Sequence, residues 1–159
     1  MIPRRLLPVL IALAMVGCGL GFVVPAQAKT SLVARGYWLV AHDGGVFSFG
    51  DASYFGNSVG VVSGAGATKT IGITASAYGG YWLLSANGAV AAFGGAPSFG
   101  STAGMQLNAP IVAMAATPSG NGYWEVAADG GVFSFGDARF YGSMGGIHLN
   151  APVEGIAVP

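Results

Sequence analysis

Beyond residue 28 the apolar positions fall in short runs separated by glycine-rich turns, and no 3.6-residue apolar period survives there. The runs repeat. Gly36-Tyr37-Trp38 recurs as Gly80-Tyr81-Trp82 and Gly122-Tyr123-Trp124, at spacings of 44 and 42 residues. Seven residues after each Gly stands Asp43-Gly44, Asn87-Gly88 or Asp129-Gly130. Then follow Val46 to Gly50, Val90 to Gly94 and Val132 to Gly136, and each copy runs on to Phe55-Gly56, Phe99-Gly100 or Tyr141-Gly142. The Asp-Gly and Asn-Gly pairs lie between β-prone runs and predict a hairpin in each copy, closed by a two-residue type I′ turn. Trp38 and Val40 share one face of the first arm, and Tyr37 and Leu39 share the other; Phe47 and Phe49 alternate with Val46 and Ser48 on the second arm. Apolar groups on both faces predict strands covered on both sides.

A third strand is expected at Ile71 to Ala75, Ile111 to Ala116 and Val153 to Val158, all rich in Ile, Val, Ala and Gly, which suit the crowded centre of a ring of sheets. A fourth, weaker strand is expected around Phe55, Phe99 and Tyr141. Four strands in each repeat is the arithmetic of a propeller blade. The expected fold is all-β: three propeller-type blades, forming a partial or dimer-completed β-propeller, behind a helical signal peptide. The copies start at about 36, 80 and 122. The first full copy opens on its Tyr-Trp strand, without a small-residue strand, and Val153 to Val158 stands last. That register suits closure by strand exchange, and it predicts a homodimer completing a six-bladed ring, since closed propellers use about four to eight blades. Closure within one chain is the alternative.

The first 28 residues read as an export signal. Arg4 and Arg5 precede an apolar stretch from Leu6 to Val24, and Ala26-Gln27-Ala28 is a small-x-small cleavage site. The domains are therefore 1–28, a signal peptide, and 29–159, a repeat domain. The alternatives are a retained anchor, because about 20 apolar residues span a bilayer, and a lipoprotein anchored at Cys18 after Met15-Val16-Gly17. Cys18 is the only cysteine, so cleavage after Ala28 leaves a chain without disulfides.

Composition narrows the classes. Hydrophobic residues make up 53%, charged residues 8%, and Gly is 28 of 159, which excludes a disordered chain. Past the signal, Lys29, Arg35, Lys69 and Arg139 face Asp43, Asp51, Glu125, Asp129, Asp137 and Glu154. So few cations provide no footprint for nucleic acid or, once the signal is removed, for a membrane.

The pattern Gly-Tyr-Trp, Asp-Gly-Gly-Val-Phe-Ser-Phe-Gly-Asp-Ala, Phe-Tyr-Gly-Ser and Leu-Asn-Ala-Pro-Val resembles repeats of secreted actinobacterial proteins. The resemblance covers about residues 36–159 and is fullest in the third copy; the second departs at Asn87, Ala91 and Gly95. It implies a propeller-like accessory or surface module, in a family where longer arrays sometimes accompany cell-wall hydrolase or peptidase domains. No such domain is recognised here, and no catalytic residue carries over.

Candidate chemistry is sparse. Gly56-Asn57-Ser58-Val59-Gly60 matches the nucleophile-elbow pattern, which needs a strand before it and a helix after it. By repeat alignment Ser58 corresponds to Thr102 and Met144, so chance is the better account, and a hydrolase using Ser58 stands only as an alternative. His42 and His148 read as surface residues. Asp43, Asp129, Asp51 and Asp137 recur as turn residues rather than calcium ligands. No metal or cofactor is expected. Repeated aromatics invite a glycan-stacking role for Tyr37, Tyr81 and Tyr123, against packing between blades, which is preferred for them and for Trp38, Trp82 and Trp124. The expected function is a secreted or cell-envelope, non-catalytic module that binds or scaffolds a cell-wall glycan or a protein. The alternative is a truncated fragment of a longer array.

Overall fold

A computed structural model describes residues 35–59 and 69–159, which fall within one compact unit, Val33–Pro159. The export signal and the Cys18 alternative lie outside the described residues. The described residues are all-β, with no helix.

Among the described residues eight strands form three small antiparallel sheets: β1 (Tyr37–Val40) with β2 (Val46–Phe49); β3 (Thr70–Ala75), β4 (Gly80–Ser85) and β5 (Val90–Gly94); and β6 (Ile111–Ala116), β7 (Gly122–Ala127) and β8 (Val132–Gly136). The Tyr-Trp strand is the middle strand of each three-stranded sheet, flanked by the small-residue strand and the Val-Phe strand. Every residue of β4 and β7 is buried. This double coverage follows from their apolar groups on both faces. β1 alternates between exposed and half-buried residues.

The two larger sheets share a detail invisible in the repeat pattern. The register slips by one residue between Thr70 and Gly72 in one, and between Ile111 and Ala113 in the other. An equivalent bulge twists each small-residue strand against its middle strand. β3 lies beside β6 and beside β1. The core joins consecutive copies: Leu84, Ile111 and Ala127 are buried together, with Leu107, Met114 and Phe133 packed against them.

Three expectations are corrected. The fourth strand does not form: Phe55, Phe99 and Tyr141 lie in irregular backbone. Val153 to Val158 is not a strand, because among the described residues it has no neighbouring Tyr-Trp strand to pair with. The hairpins do form, but not with two-residue type I′ turns. The Gly44 amide donates to Ala41 O at 2.9 Å and the Ala41 amide to Gly45 O at 2.8 Å, and the same pair of bonds closes the loops at Gly88 and Gly130. This is the longer hairpin loop with a left-handed glycine at its end, and φ is +88°, +80° and +81° at the three glycines. The acidic or amide residue has a separate task. Oδ1 of Asp43, Asn87 and Asp129 accepts the amide of Gly45, Ala89 and Gly131 at 2.9–3.0 Å.

Candidate functional site

The candidate site is the joint between consecutive repeats, where most of the recurring aromatic residues converge. Within each copy the indole N–H reaches a carbonyl 15 residues further on. Trp38 donates to Ser53 O at 2.9 Å, Trp82 to Pro97 O at 2.7 Å and Trp124 to Arg139 O at 2.9 Å. Each bond ties the irregular segment after the Val-Phe strand back onto its sheet, which is why that segment can dispense with ladder pairing. A buried indole N–H needs such a partner.

The tyrosines act between copies. Tyr81 donates to Gly56 O at 2.5 Å and accepts the Phe55 amide at 3.2 Å. Tyr123 makes the same two bonds, to Gly100 O and from the Phe99 amide. Each ring stands against the preceding copy's Trp, with centroids at 5.3 Å for Trp38–Tyr81 and 5.4 Å for Trp82–Tyr123. It also meets the preceding aromatic, at 5.8 Å for Phe55–Tyr81 and 5.7 Å for Phe99–Tyr123. The glycine of each aromatic-Gly pair leaves room for the next copy's phenylalanine. A Cβ on Gly56 would stand 2.7 Å from Phe93, and one on Gly100 3.3 Å from Phe135. Both glycines have positive φ as well, +132° and +104°.

The three tyrosines are therefore not equivalent. Tyr81 and Tyr123 are 0% exposed and cannot stack on a ligand, whereas Tyr37 is 58% exposed. Tyr37 stacks on Phe49 at 5.1 Å, and with Leu39 and Phe47 these residues form an exposed apolar face on the first sheet. The tryptophans divide likewise: Trp82 and Trp124 are buried, while Trp38 is half-buried.

Ser58 is buried, with its hydroxyl 3.3 Å from Thr70 Oγ1 and its amide donating to Gly44 O at 3.1 Å. No strand runs into it: β2 ends at Phe49 and residues 52–58 are irregular. It packs on the Gly44 hairpin loop as Thr102 and Met144 pack on Gly88 and Gly130. His42 and His148 are exposed, and no group of three His, Cys, Asp or Glu among the described residues is placed to hold a metal ion. Asp137 accepts Thr117 Oγ1 at 2.9 Å and Ser119 Oγ at 2.5 Å, bracing the turn before β7.

Glu125 is the residue that the repeat alignment leaves unmarked. It occupies the strand position of Leu39 and Leu83 and is completely buried. Oε2 accepts Thr102 Oγ1 at 2.6 Å, while Oε1 is buried without a partner among the described residues. Burial raises its pKa above the ordinary carboxyl value, against the opposing hydrogen bonds from Thr102. The one available signal was a carboxylate where the other copies carry leucine.

Among the described residues no helix is long and apolar enough to cross a membrane. Compared with protein-family models, with curated proteins and with solved structures, the chain matches none.

Proposed function

We propose that the chain is a secreted or cell-envelope, non-catalytic β-repeat module that binds or scaffolds a cell-wall glycan or a protein, its sheets being propeller-type blades. The observation that carries this reading is the repeated joint. The same Tyr hydroxyl, preceding Trp ring and aromatic-Gly pair are used twice over to fasten one sheet to the next. The recurring motif is thus spent on building an array, and a rigid array of like units is a scaffold for presenting surfaces. The buried setting of Ser58 gives the same reading its weight against the hydrolase alternative. The resemblance to secreted actinobacterial repeats points to the envelope as the place of action.

The test is retention of the exported chain on purified peptidoglycan and on a glycan array, with a protein pull-down from envelope extract alongside. Specific, saturable retention on any of these supports the module. Absence of retention on all three overturns the binding reading. The fragment reading draws on the exposed apolar face of the first sheet; an exported chain that aggregates without a defined mass would favour it.

A further inference from the structure

The two faces left open by the repeats are complementary to each other. At the first sheet, Tyr37 and Phe49 occupy the positions of Tyr81 with Phe93 and Tyr123 with Phe135, yet they are 58% and 43% exposed. At the third copy, Tyr141-Gly142 occupies the position of Phe55-Gly56 and Phe99-Gly100. Tyr141 is 81% exposed, and a Cβ on Gly142 would meet nothing within 4 Å among the described residues. Beside it lies an open apolar concavity of about 220 Å³, lined by Trp124, Tyr141, Gly142, Ile156 and Val158 among others.

The segment 153–158 is held ready in register. The Val153 amide donates to Ala128 O at 2.9 Å, as Ile111 donates to Ala86 O at 3.2 Å and Thr70 to His42 O at 3.0 Å. Counted from that anchor, the fourth, fifth and sixth residues of β3 and β6 pair in the same order: Ile73 faces Leu83, Thr74 faces Trp82 and Ala75 faces Tyr81, and Met114, Ala115 and Ala116 face Glu125, Trp124 and Tyr123.

We propose that the third copy of one chain docks head-to-tail on the first copy of a second chain, through a third instance of the joint that the chain already contains twice. Tyr37 of the second chain enters the slot at Tyr141-Gly142 and stacks against Trp124, and Phe49 of the second chain covers Gly142. Residues 153–158 become a strand on the edge of β1 that no described strand pairs, with Ile156 opposite Leu39, Ala157 opposite Trp38 and Val158 opposite Tyr37 of the second chain. An aromatic anchor seated in a preformed pocket and a strand added to an open edge are two ordinary sources of affinity. Two such contacts related by a two-fold axis close a dimer of six sheets. The proposal is independent of what the module binds.

Sedimentation of the full exported chain over a wide concentration range should show a saturating dimer. Leu39→Cys and Ile156→Cys chains, mixed and oxidised, should give a disulfide-linked pair, whereas Val40→Cys with Ile156→Cys should not, because a one-residue shift turns the side chains to opposite faces. Tyr37→Glu, at an exposed position, should keep the thermal transition of the dissociated chain and weaken dimerisation roughly thirty-fold or more. A chain that stays monomeric at every concentration would sink the proposal. So would open-ended growth, which denies the two-fold closure, or a 39–156 disulfide formed within one monomeric chain carrying both cysteines.

Discussion

Tyr81 crosses from its own sheet to the preceding repeat, where its hydroxyl donates to Gly56 O and accepts the amide of Phe55. Tyr123 repeats this one copy later at Gly100 and Phe99. Removing one such hydroxyl breaks two part-buried hydrogen bonds at once, each worth about 0.5–1.5 kcal/mol. Tyr81→Phe and Tyr123→Phe should each lower stability by about 1–3 kcal/mol, read by urea unfolding of the dissociated chain. Tyr37→Phe should leave that same stability unchanged, since Tyr37 reaches no such partner among the described residues of its own chain.

Trp82 is completely buried and its N–H is bonded to Pro97 O. Trp82→Ala should cost about 3–5 kcal/mol. Trp38 has the same bond, to Ser53 O, but is half-buried. Trp38→Ala should therefore lower the melting temperature by a clearly smaller step in the dissociated chain. Equal losses at the two positions would show that the first sheet is covered as fully as the second.

Glu125 makes stability depend on pH. Its folded-state pKa is raised by burial, so between the ordinary carboxyl value and the raised one the folded chain binds more protons than the unfolded chain. Stability should be highest below the ordinary carboxyl pKa and should fall as pH rises through the raised one. Thermal unfolding followed across acidic to neutral pH should show that decline, and Glu125→Gln should flatten it. Glu125→Leu, which restores the residue type of Leu39 and Leu83, should flatten it too. An unaltered slope in both variants would assign the dependence to other groups.

The hairpin glycines differ from glycines in open turns. Gly88 has φ of +80° and an added Cβ would run into Thr102 Oγ1, whereas Gly79 has the same φ and nothing within 4 Å. Both substitutions to alanine incur the cost of a left-handed residue, of about 1–2 kcal/mol. Gly88→Ala adds a steric clash and should destabilise the more of the two by calorimetry; the reverse order would overturn this account.

Export is expected to cut after Ala28, so the exported protein should begin at Lys29 on N-terminal sequencing. A lipidated start at Cys18 would place the chain on a membrane instead.

Much of the architecture was legible along the chain because it is local. Asp43-Gly44, Asn87-Gly88 and Asp129-Gly130 place three hairpins, since a loop glycine with positive φ and a side-chain acceptor two residues from an amide are properties of neighbouring residues. Alternation on the Tyr-Trp strands likewise announced burial on both faces, and β4 and β7 have it. Periodicity could not distinguish Tyr37 from Tyr81 and Tyr123, or Trp38 from Trp82, because identical motifs acquire different burial from what stands before and after them. Nor could it tell that residues 153–158 carry strand composition without being a strand: a strand is a relation between two segments, and composition describes one. The loss of the expected fourth strand has the same cause. Its backbone is satisfied by indole and phenol groups from distant positions, Trp82 on Pro97 and Tyr81 on Gly56, and only the packed chain brings those groups to it.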